Sequence, residues 1–163
     1  MDHLKLLQQW HMGLRIAHKA HQRAAVKFER SGRWLGAATV IASTVVGTSL
    51  FADAGADLSI GWKIGAGVLS LIAAVLSAVQ GTLKFSELAS QHRSAAQHYG
   101  PLRREVEEML AEAGAGGTLS ATKISDLRKR WDEVDADSPN VPQNLYDAVV
   151  ASLQTTPPPH KSV

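Results

Sequence analysis

The chain has 163 residues, enough for one domain or for one small domain with appendages. Its 17 Lys and Arg residues against 15 Asp and Glu residues give a net charge of +2, so nucleic acid is not expected as a partner. The absence of cysteine excludes a disulfide framework and thiolate chemistry. The N-terminal segment has no apolar core of the kind found in a cleaved signal peptide.

Residues 1–33 are predicted to form a cytoplasmic helix, because apolar residues recur near helical spacing. These are Leu4, Leu7, Trp10, Leu14, Ala17 and Ala24. His11, His18 and His21 can share one face of that helix, which raises metal binding or proton sensing as hypotheses. No cysteine or tight carboxylate cluster completes a metal site, so a polar helix face or an oligomer contact is favoured. We therefore predict no metal and no cofactor.

Two uncharged runs follow, residues 34–52 and residues 64–83. As helices they extend about 28–30 Å, which matches the hydrocarbon thickness of a bilayer. Helices also satisfy their own backbone hydrogen bonds in lipid. The sequence therefore predicts a transmembrane hairpin spanning residues 34–83, although a buried helical pair in a soluble bundle remains an alternative.

The charges that flank these runs predict the orientation of the hairpin. Residues 1–33 contain seven Lys and Arg residues, and four more follow the second run by residue 104, whereas the intervening loop has only Lys63. Because cationic residues remain on the cytoplasmic side, both termini are predicted to lie in the cytoplasm, with a short external loop. Trp34 and Trp62 then fall at opposite membrane surfaces.

Each predicted span carries a stripe of small or weakly polar residues, which allow helices to approach closely in lipid. The first stripe consists of Gly36, Thr39, Ser43 and Gly47, and the second of Gly67, Ser70, Ala74, Ser77, Ala78 and Gly81. The stripes either face each other within one hairpin or line a pore in an oligomer. Neither span contains a charged ring, so such a pore would select weakly among ions or close by a hydrophobic constriction.

Residues 84–154 are predicted to form a cytoplasmic helical region that continues from the second span. Gly100 and Pro101 predict a kink or break in its first helix. A glycine-rich turn at 114–117 precedes a helix that starts at Thr118 or Ser120, and a short closing helix precedes a disordered tail at 155–163. No phosphate-binding loop, zinc spacing or catalytic triad order is present, so we do not expect an enzyme.

Three segments resemble the SLATT family of bacterial two-span membrane proteins: residues 45–51, 83–107 and 130–149. The resemblance covers roughly residues 10–150 and lies in the linear order of these pieces. It implies an all-α integral membrane protein, with a two-helix transmembrane hairpin, cytoplasmic helical extensions and an oligomeric bundle.

The resemblance also implies an anti-phage effector of bacterial conflict systems. Such a protein is expected to form a homo-oligomer and to perforate or depolarise the inner membrane in abortive infection. A cytoplasmic sensor or nucleotide-signal partner would supply the trigger. The residues of this chain that match the polar helix after the second span, and to which coupling is assigned, are Glu87, His92, Arg93, Tyr99, Arg103 and Arg104.

Two other functions remain as alternatives at this stage. One is a non-conducting membrane anchor whose cytoplasmic helices recruit or scaffold a partner. The other is a holin-like lysis protein, which the long cytoplasmic region disfavours.

Overall fold

The structure is a computed structural model that describes residues 3–53 and 59–155, and the side chains within those ranges except at 49–53 and 155. Within the described ranges all regular elements are helices, which confirms the predicted all-α class. The helices are α1 (His3–Asp53), α2 (Ile60–Leu83), α3 (Phe85–Gly114), α4 (Ala121–Asp137) and α5 (Gln143–Thr155). Residues 54–58 of the loop predicted at 53–63 lie outside the described residues, as do residues 156–163 of the tail predicted at 155–163, whose first residue, Thr155, ends α5.

The chain divides into two compact units. We call Met1–Val26 together with Ala89–Val163 the helical bundle, and Lys27–Leu88 the helical pair. Helix α1 is continuous across residues 33 and 34, where the sequence predicted a change from cytoplasmic to membrane segment. Helix α2 begins at Ile60, four residues before the predicted start of the second span.

The core of the helical bundle is built by α1, α3 and α4. Leu7 and Leu14 of α1 and Leu127 of α4 are fully buried with Val106 of α3, as the helical spacing in the N-terminal segment predicts. The rings of Trp10 and Trp131 meet edge to face, with their centroids 5.9 Å apart. Burial of a leucine of this kind contributes about 1.5–3 kcal/mol, so this cluster supplies much of the bundle's stability.

Helix α5 packs against α1 through a second small cluster. Ala20 is buried with Val149 and Leu153. Beside them the Arg23 guanidinium donates hydrogen bonds to the Ala148 carbonyl at 3.1 Å and to Ser152 Oγ at 3.3 Å. The closing helix is thereby attached to the N-terminal helix by apolar and polar contacts together.

Of the kink or break predicted at Gly100 and Pro101, the break is wrong, because Pro101 lies inside the unbroken helix α3. Pro101 lacks the amide hydrogen that would continue the helical ladder, but Gly100 has no Cβ to collide with the proline ring. The interruption lies instead at Lys84, whose left-handed backbone (φ 41°, ψ 44°) ends α2. The predicted glycine-rich turn is present after α3, and Ser120 is the residue that precedes α4.

Within the helical pair, two glycines of α1 lie close to a neighbouring helix, Gly32 to the first residue of α3 and Gly36 to α2. A Cβ on Gly32 would lie 3.0 Å from Phe85 Cβ, and a Cβ on Gly36 would lie 3.3 Å from Gln80 Nε2. The rings of Phe28 and Phe85 are 6.4 Å apart at their centroids. Glycine therefore permits the close approach of the helices at these two positions.

In the described part of the chain, one helical stretch, Ile60–Gly114, contains a segment long and apolar enough to cross a membrane. Only 6% of that apolar segment is buried within the protein. The apolar run predicted at 34–52 extends into residues of α1 whose side chains are not described.

Candidate functional site

Helix α2 turns one narrow face towards the protein. Ala66, Leu69, Ala73 and Leu76 have reduced exposure, and their spacing of three and four residues places them on one side of the helix. The close approach of Gly36 to Gln80 shows that this side meets α1. The intrachain contact is thus made by alanine and leucine residues that the sequence did not single out as a contact surface.

The predicted small-residue stripe of α2 lies beside this contact face and is exposed along its whole length. It consists of Gly67, Ser70, Ala74, Ser77, Ala78 and Gly81. A Cβ added to Gly67 or Gly81 would meet nothing within 4 Å. Of the two arrangements that the sequence left open, packing within one chain therefore does not cover the α2 stripe.

The stripe of α1 divides between the contact with α2 and the outer surface. Gly36 and Thr39 are half-buried, whereas Ser43 is exposed. Gly47 is half-buried, but an added Cβ there would meet no neighbour within 4 Å. Ala42, which the sequence analysis did not select, is the most buried residue in this part of α1, at 7% exposure.

The remaining surface of α2 is apolar and exposed. Leu71 is 68% exposed, and Val68 and Val75 exceed one half. The Thr82 hydroxyl donates to the Ala78 carbonyl at 2.9 Å, and Thr44 of α1 donates to the Val40 carbonyl at 2.8 Å. These hydroxyl groups need no water, because each is satisfied one turn earlier in its own helix, as lipid requires.

In the helical bundle, His92 and Tyr99 of α3 contribute to a buried polar cluster with His21 of α1. His21 Nδ1 lies 3.0 Å from His92 Nδ1, so one imidazole donates a hydrogen bond and the other accepts it. The His21 ring stacks on the Tyr99 ring at 5.3 Å between centroids. The Tyr99 hydroxyl donates to Asp135 Oδ1 of α4 at 2.9 Å, which links three helices.

Burial perturbs every titratable ring in this cluster. It lowers the pKa of His21 from 6.5 to about 4, with His92 adding to the effect and Asp135 opposing it. Burial likewise lowers the pKa of His92. The pKa of Tyr99 rises to about 12, because burial and Asp135 outweigh the hydrogen bond with Ser138. Both histidines and the tyrosine are therefore neutral near pH 7.

The other residues assigned to coupling lie outside this cluster, Glu87 in the helical pair and the three arginines in the helical bundle. Glu87 pairs with Lys84 at 3.3 Å, and Arg103 pairs with Glu107 one turn later on α3. Arg93 and Arg104 are exposed. The structure therefore brings His92 and Tyr99 together and leaves the other four residues on separate surface positions.

The three N-terminal histidines have three different environments. His11 Nε2 lies 3.0 Å from Glu107 Oε1, and His18 bonds to Gln22 at 3.0 Å, whereas His21 is buried. A hydrogen bond with His11 and the charge of Arg103 lower the pKa of Glu107 in spite of an opposing effect of burial. Among the described residues, no group of three or more His, Cys, Asp or Glu side chains is arranged to hold a metal ion.

Sequence reasoning missed His21 and Asp135 as members of one cluster. His21 and His92 are 71 positions apart, and Tyr99 and Asp135 are 36 positions apart. Periodicity within one helix carries no information on such pairs. The available signal was that His21 falls next to Ala20 and Ala24 on the apolar side of α1.

No curated protein and no solved structure gives a significant match to the chain. The family model described as SMODS and SLOG-associating 2TM effector domain family 4 matches residues 7–156. This match includes both helices of the pair and nearly all of the helical bundle. The chain therefore belongs to the SLATT family, whose members are two-transmembrane effector domains of conflict systems and have no known enzymatic activity.

Proposed function

We propose that the protein is an anti-phage effector that forms a homo-oligomer through the small-residue stripe of α2 and depolarises the bacterial inner membrane when infection is sensed. The observation that carries this proposal is the exposure of the whole stripe, from Gly67 to Gly81, on a helix whose intrachain contact lies on a neighbouring face. Membrane helices associate through such small residues, because lipid supplies no hydrophobic driving force between them.

The stripe suits either packing or a pore lining once copies assemble. Ser70 and Ser77 are hydroxyl-bearing members of an exposed row on an otherwise apolar helix. In an oligomer, hydroxyl groups on the inner side of a ring would offer weak hydration sites to passing water and ions. The apolar side chains at Val68, Leu71 and Val75 would face lipid on the outer side.

The proposed orientation places both termini in the cytoplasm, as the excess of Lys and Arg in residues 1–33 favours. The chain lacks cysteine, so single cysteines can be introduced for labelling without removing any native thiol. Ser59→Cys is expected to react with a membrane-impermeant maleimide in intact spheroplasts, whereas Ser120→Cys is expected to react only after lysis. The reverse pattern would contradict the proposed orientation.

The helical bundle is the proposed receiver of the activating signal. It has its own buried core, and its surface carries ion pairs such as Arg103 with Glu107 and Arg130 with Glu105. A charged surface of this kind fits a cytoplasmic sensor or a nucleotide-signal partner better than it fits lipid. Binding there would shift the helical pair between a closed and a conducting assembly.

The decisive experiment measures membrane potential with a voltage-sensitive dye after inducible expression in bacteria. Ala74→Leu places a bulky group in the middle of the stripe, and Gly65→Leu places the same group on the opposite, exposed side of α2, where an added Cβ would meet nothing within 4 Å. At equal membrane insertion, wild type and Gly65→Leu are expected to depolarise the cells, and Ala74→Leu is expected to lose most of that effect. Equal depolarisation by all three proteins would overturn the role of the stripe.

An anchor that recruits a partner through its bundle is a second candidate, favoured by the separate core of that unit. Replacing residues 34–83 with an unrelated hairpin distinguishes the two functions. An anchor retains its activity after that exchange, whereas a pore loses it. Coexpression with candidate sensors is needed if wild type leaves the potential unchanged, because a closed pore and an anchor then give the same result.

A further inference from the structure

The most unusual feature of the helical bundle is the direct contact between two buried histidine rings. His21 is 4% exposed and His92 is 1% exposed, and they belong to different helices, α1 and α3. Their Nδ1 atoms are 3.0 Å apart. A hydrogen bond of this kind holds only one proton between the two nitrogen atoms, so it depends directly on the protonation state of both rings.

We propose that the His21–His92 contact is a proton-sensitive latch that fastens α1 to α3 near neutral pH and loosens the helical bundle on acidification. This inference concerns the bundle alone and does not depend on pore formation. It takes up the proton-sensing hypothesis that the sequence raised for His11, His18 and His21, restricts it to His21, and adds His92 as the partner ring.

The chemistry of the two rings determines why acid loosens the contact. The first additional proton places a positive charge in a buried site, where it loses most of its hydration. The second proton removes the remaining lone pair at Nδ1, so two donors and two positive charges then face each other at hydrogen-bond distance. Separation of α1 from α3 relieves both costs.

Other titratable groups near the pair modify this effect without replacing it. Tyr99 of α3 stacks on His21, Asp135 of α4 acts on its charge, and Tyr146 of α5 lines the same depression. On α1 itself, His18 lies one turn before His21, and Arg23 follows two positions later. Asp135 is the anion that favours protonation of His21, but it is exposed and already accepts the Tyr99 hydrogen bond. Arg23 is bonded to Ala148 and Ser152 of α5.

A route for protons lies next to the pair. A depression of about 260 Å³ is lined by His21, Tyr99 and Asp135 together with the segment from Ser138 to Gln143. Because His21 lines this depression, water that enters it would meet the His21 side chain without unfolding of the bundle. A charge on either ring is therefore costly because the rings are buried, yet His21 lies next to a depression from which a proton can arrive.

The direction of the pH dependence follows from the pKa of His21, which is 6.5 ordinarily and about 4 in the folded bundle. Between these values the opened state binds more protons than the folded state, so stability falls as the pH decreases from 6.5 towards 4. Above 6.5 both states are neutral at this position, and the full contribution to stability is present. Each histidine that behaves this way lowers the folding equilibrium constant about tenfold per pH unit within its window.

The test uses the full chain in lipid nanodiscs and follows unfolding by tryptophan fluorescence. Trp34→Phe and Trp62→Phe leave only Trp10 and Trp131, which both lie in the helical bundle. In this background we compare the stability of the protein that retains both histidines with that of the double variant His21→Gln, His92→Gln. The control is His98→Gln, an exposed position on α3.

In the control and the background protein, the folding equilibrium constant is expected to fall steeply as the pH decreases from 6.5. In the double variant, that fall is expected to be smaller by a factor of about ten or more for each pH unit. Equal slopes for all three proteins would overturn the latch. If the double variant does not fold, the pKa values of the two histidines are measured directly in the protein that retains them. Histidine ring NMR of the unmodified protein should then show His21 titrating near pH 4, and a midpoint for both His21 and His92 at or above 6.5 would also overturn the proposal.

Discussion

The helical bundle buries its large apolar side chains in its interior, whereas the helical pair exposes them on its surface. In the bundle, Leu7, Leu14 and Val106 are fully buried, and charged residues occupy the surface. In the pair, Leu71 is 68% exposed and Ile64 is 63% exposed, whereas the residues between the helices include small ones such as Ala42 and Ala73. The helical pair is therefore the more apolar unit, yet it buries only small apolar residues between its helices.

This difference indicates two different solvents. In water, burial of apolar surface drives folding, and leucine moves to the interior. In lipid, leucine gains nothing from burial between helices, and contacts form where small residues permit close approach. The absence of charge from residues 64–83 and the intrahelical bonding of Thr82 agree with the second environment.

The largest effect is expected from truncation of the same residue type in the two units. Leu14→Ala removes a fully buried side chain from the bundle and should lower its free energy of unfolding by about 2–5 kcal/mol. Leu71→Ala removes an exposed side chain of α2 and should leave that energy unchanged. Denaturant unfolding followed by Trp10 and Trp131 fluorescence measures both variants.

Leu4→Ala provides a control inside the bundle, because Leu4 lies on α1 but is 38% exposed. Its effect should lie well below that of Leu14→Ala. If Leu71→Ala destabilised the protein as much as Leu14→Ala does, α2 would be a buried helix of a water-soluble assembly. That result would favour the alternative that residues 34–83 form a buried helical pair in a soluble bundle.

A smaller effect is expected from two glycine substitutions in helix α1. A Cβ on Gly13 would lie 3.1 Å from Trp131 Cη2, and that ring is held edge to face against Trp10. Displacement of the ring should outweigh the gain in helix propensity, so Gly13→Ala should lose about 1 kcal/mol. Gly47→Ala should lose nothing within one chain, because its Cβ would meet no neighbour.

Thermal unfolding with near-ultraviolet circular dichroism distinguishes these two variants. Gly13→Ala should lower the midpoint and weaken the signal of the Trp10 and Trp131 pair, whereas Gly47→Ala should preserve both. Destabilisation by Gly47→Ala in the oligomer but not in dilute monomer would locate a contact between copies at that position. A Gly13→Ala protein with unchanged signal and midpoint would contradict the close packing of Trp131.

The sequence predicted the helical class and the inner face of the N-terminal segment, because Leu7 and Leu14 obey a local period. It also singled out a small-residue stripe on α2, whose role in helix packing or pore lining stays a prediction. It did not predict that α1 instead contacts the neighbouring face at Ala73 and Leu76, since both faces are compatible with helix packing. The break at Lys84 was missed because lysine carries no signal for a left-handed backbone, whereas the Gly-Pro pair at 100 and 101 carries a strong signal for a break that the fold overrides.

The last comparison concerns one hydroxyl group in each unit. The Tyr99 hydroxyl joins α3 to α4 through Asp135, so Tyr99→Phe should remove about 0.5–1.5 kcal/mol from the bundle. The Thr82 hydroxyl bonds only to the carbonyl of Ala78 in its own helix, so Thr82→Val should be nearly neutral. Denaturant unfolding of both variants measures the difference, and Asp135→Asn in the Tyr99→Phe background should then add little, because the two residues act through one bond. Additive losses in that double variant would mean that Asp135 stabilises the bundle through another partner. The Tyr99 hydroxyl would then not be the group that joins α3 to α4.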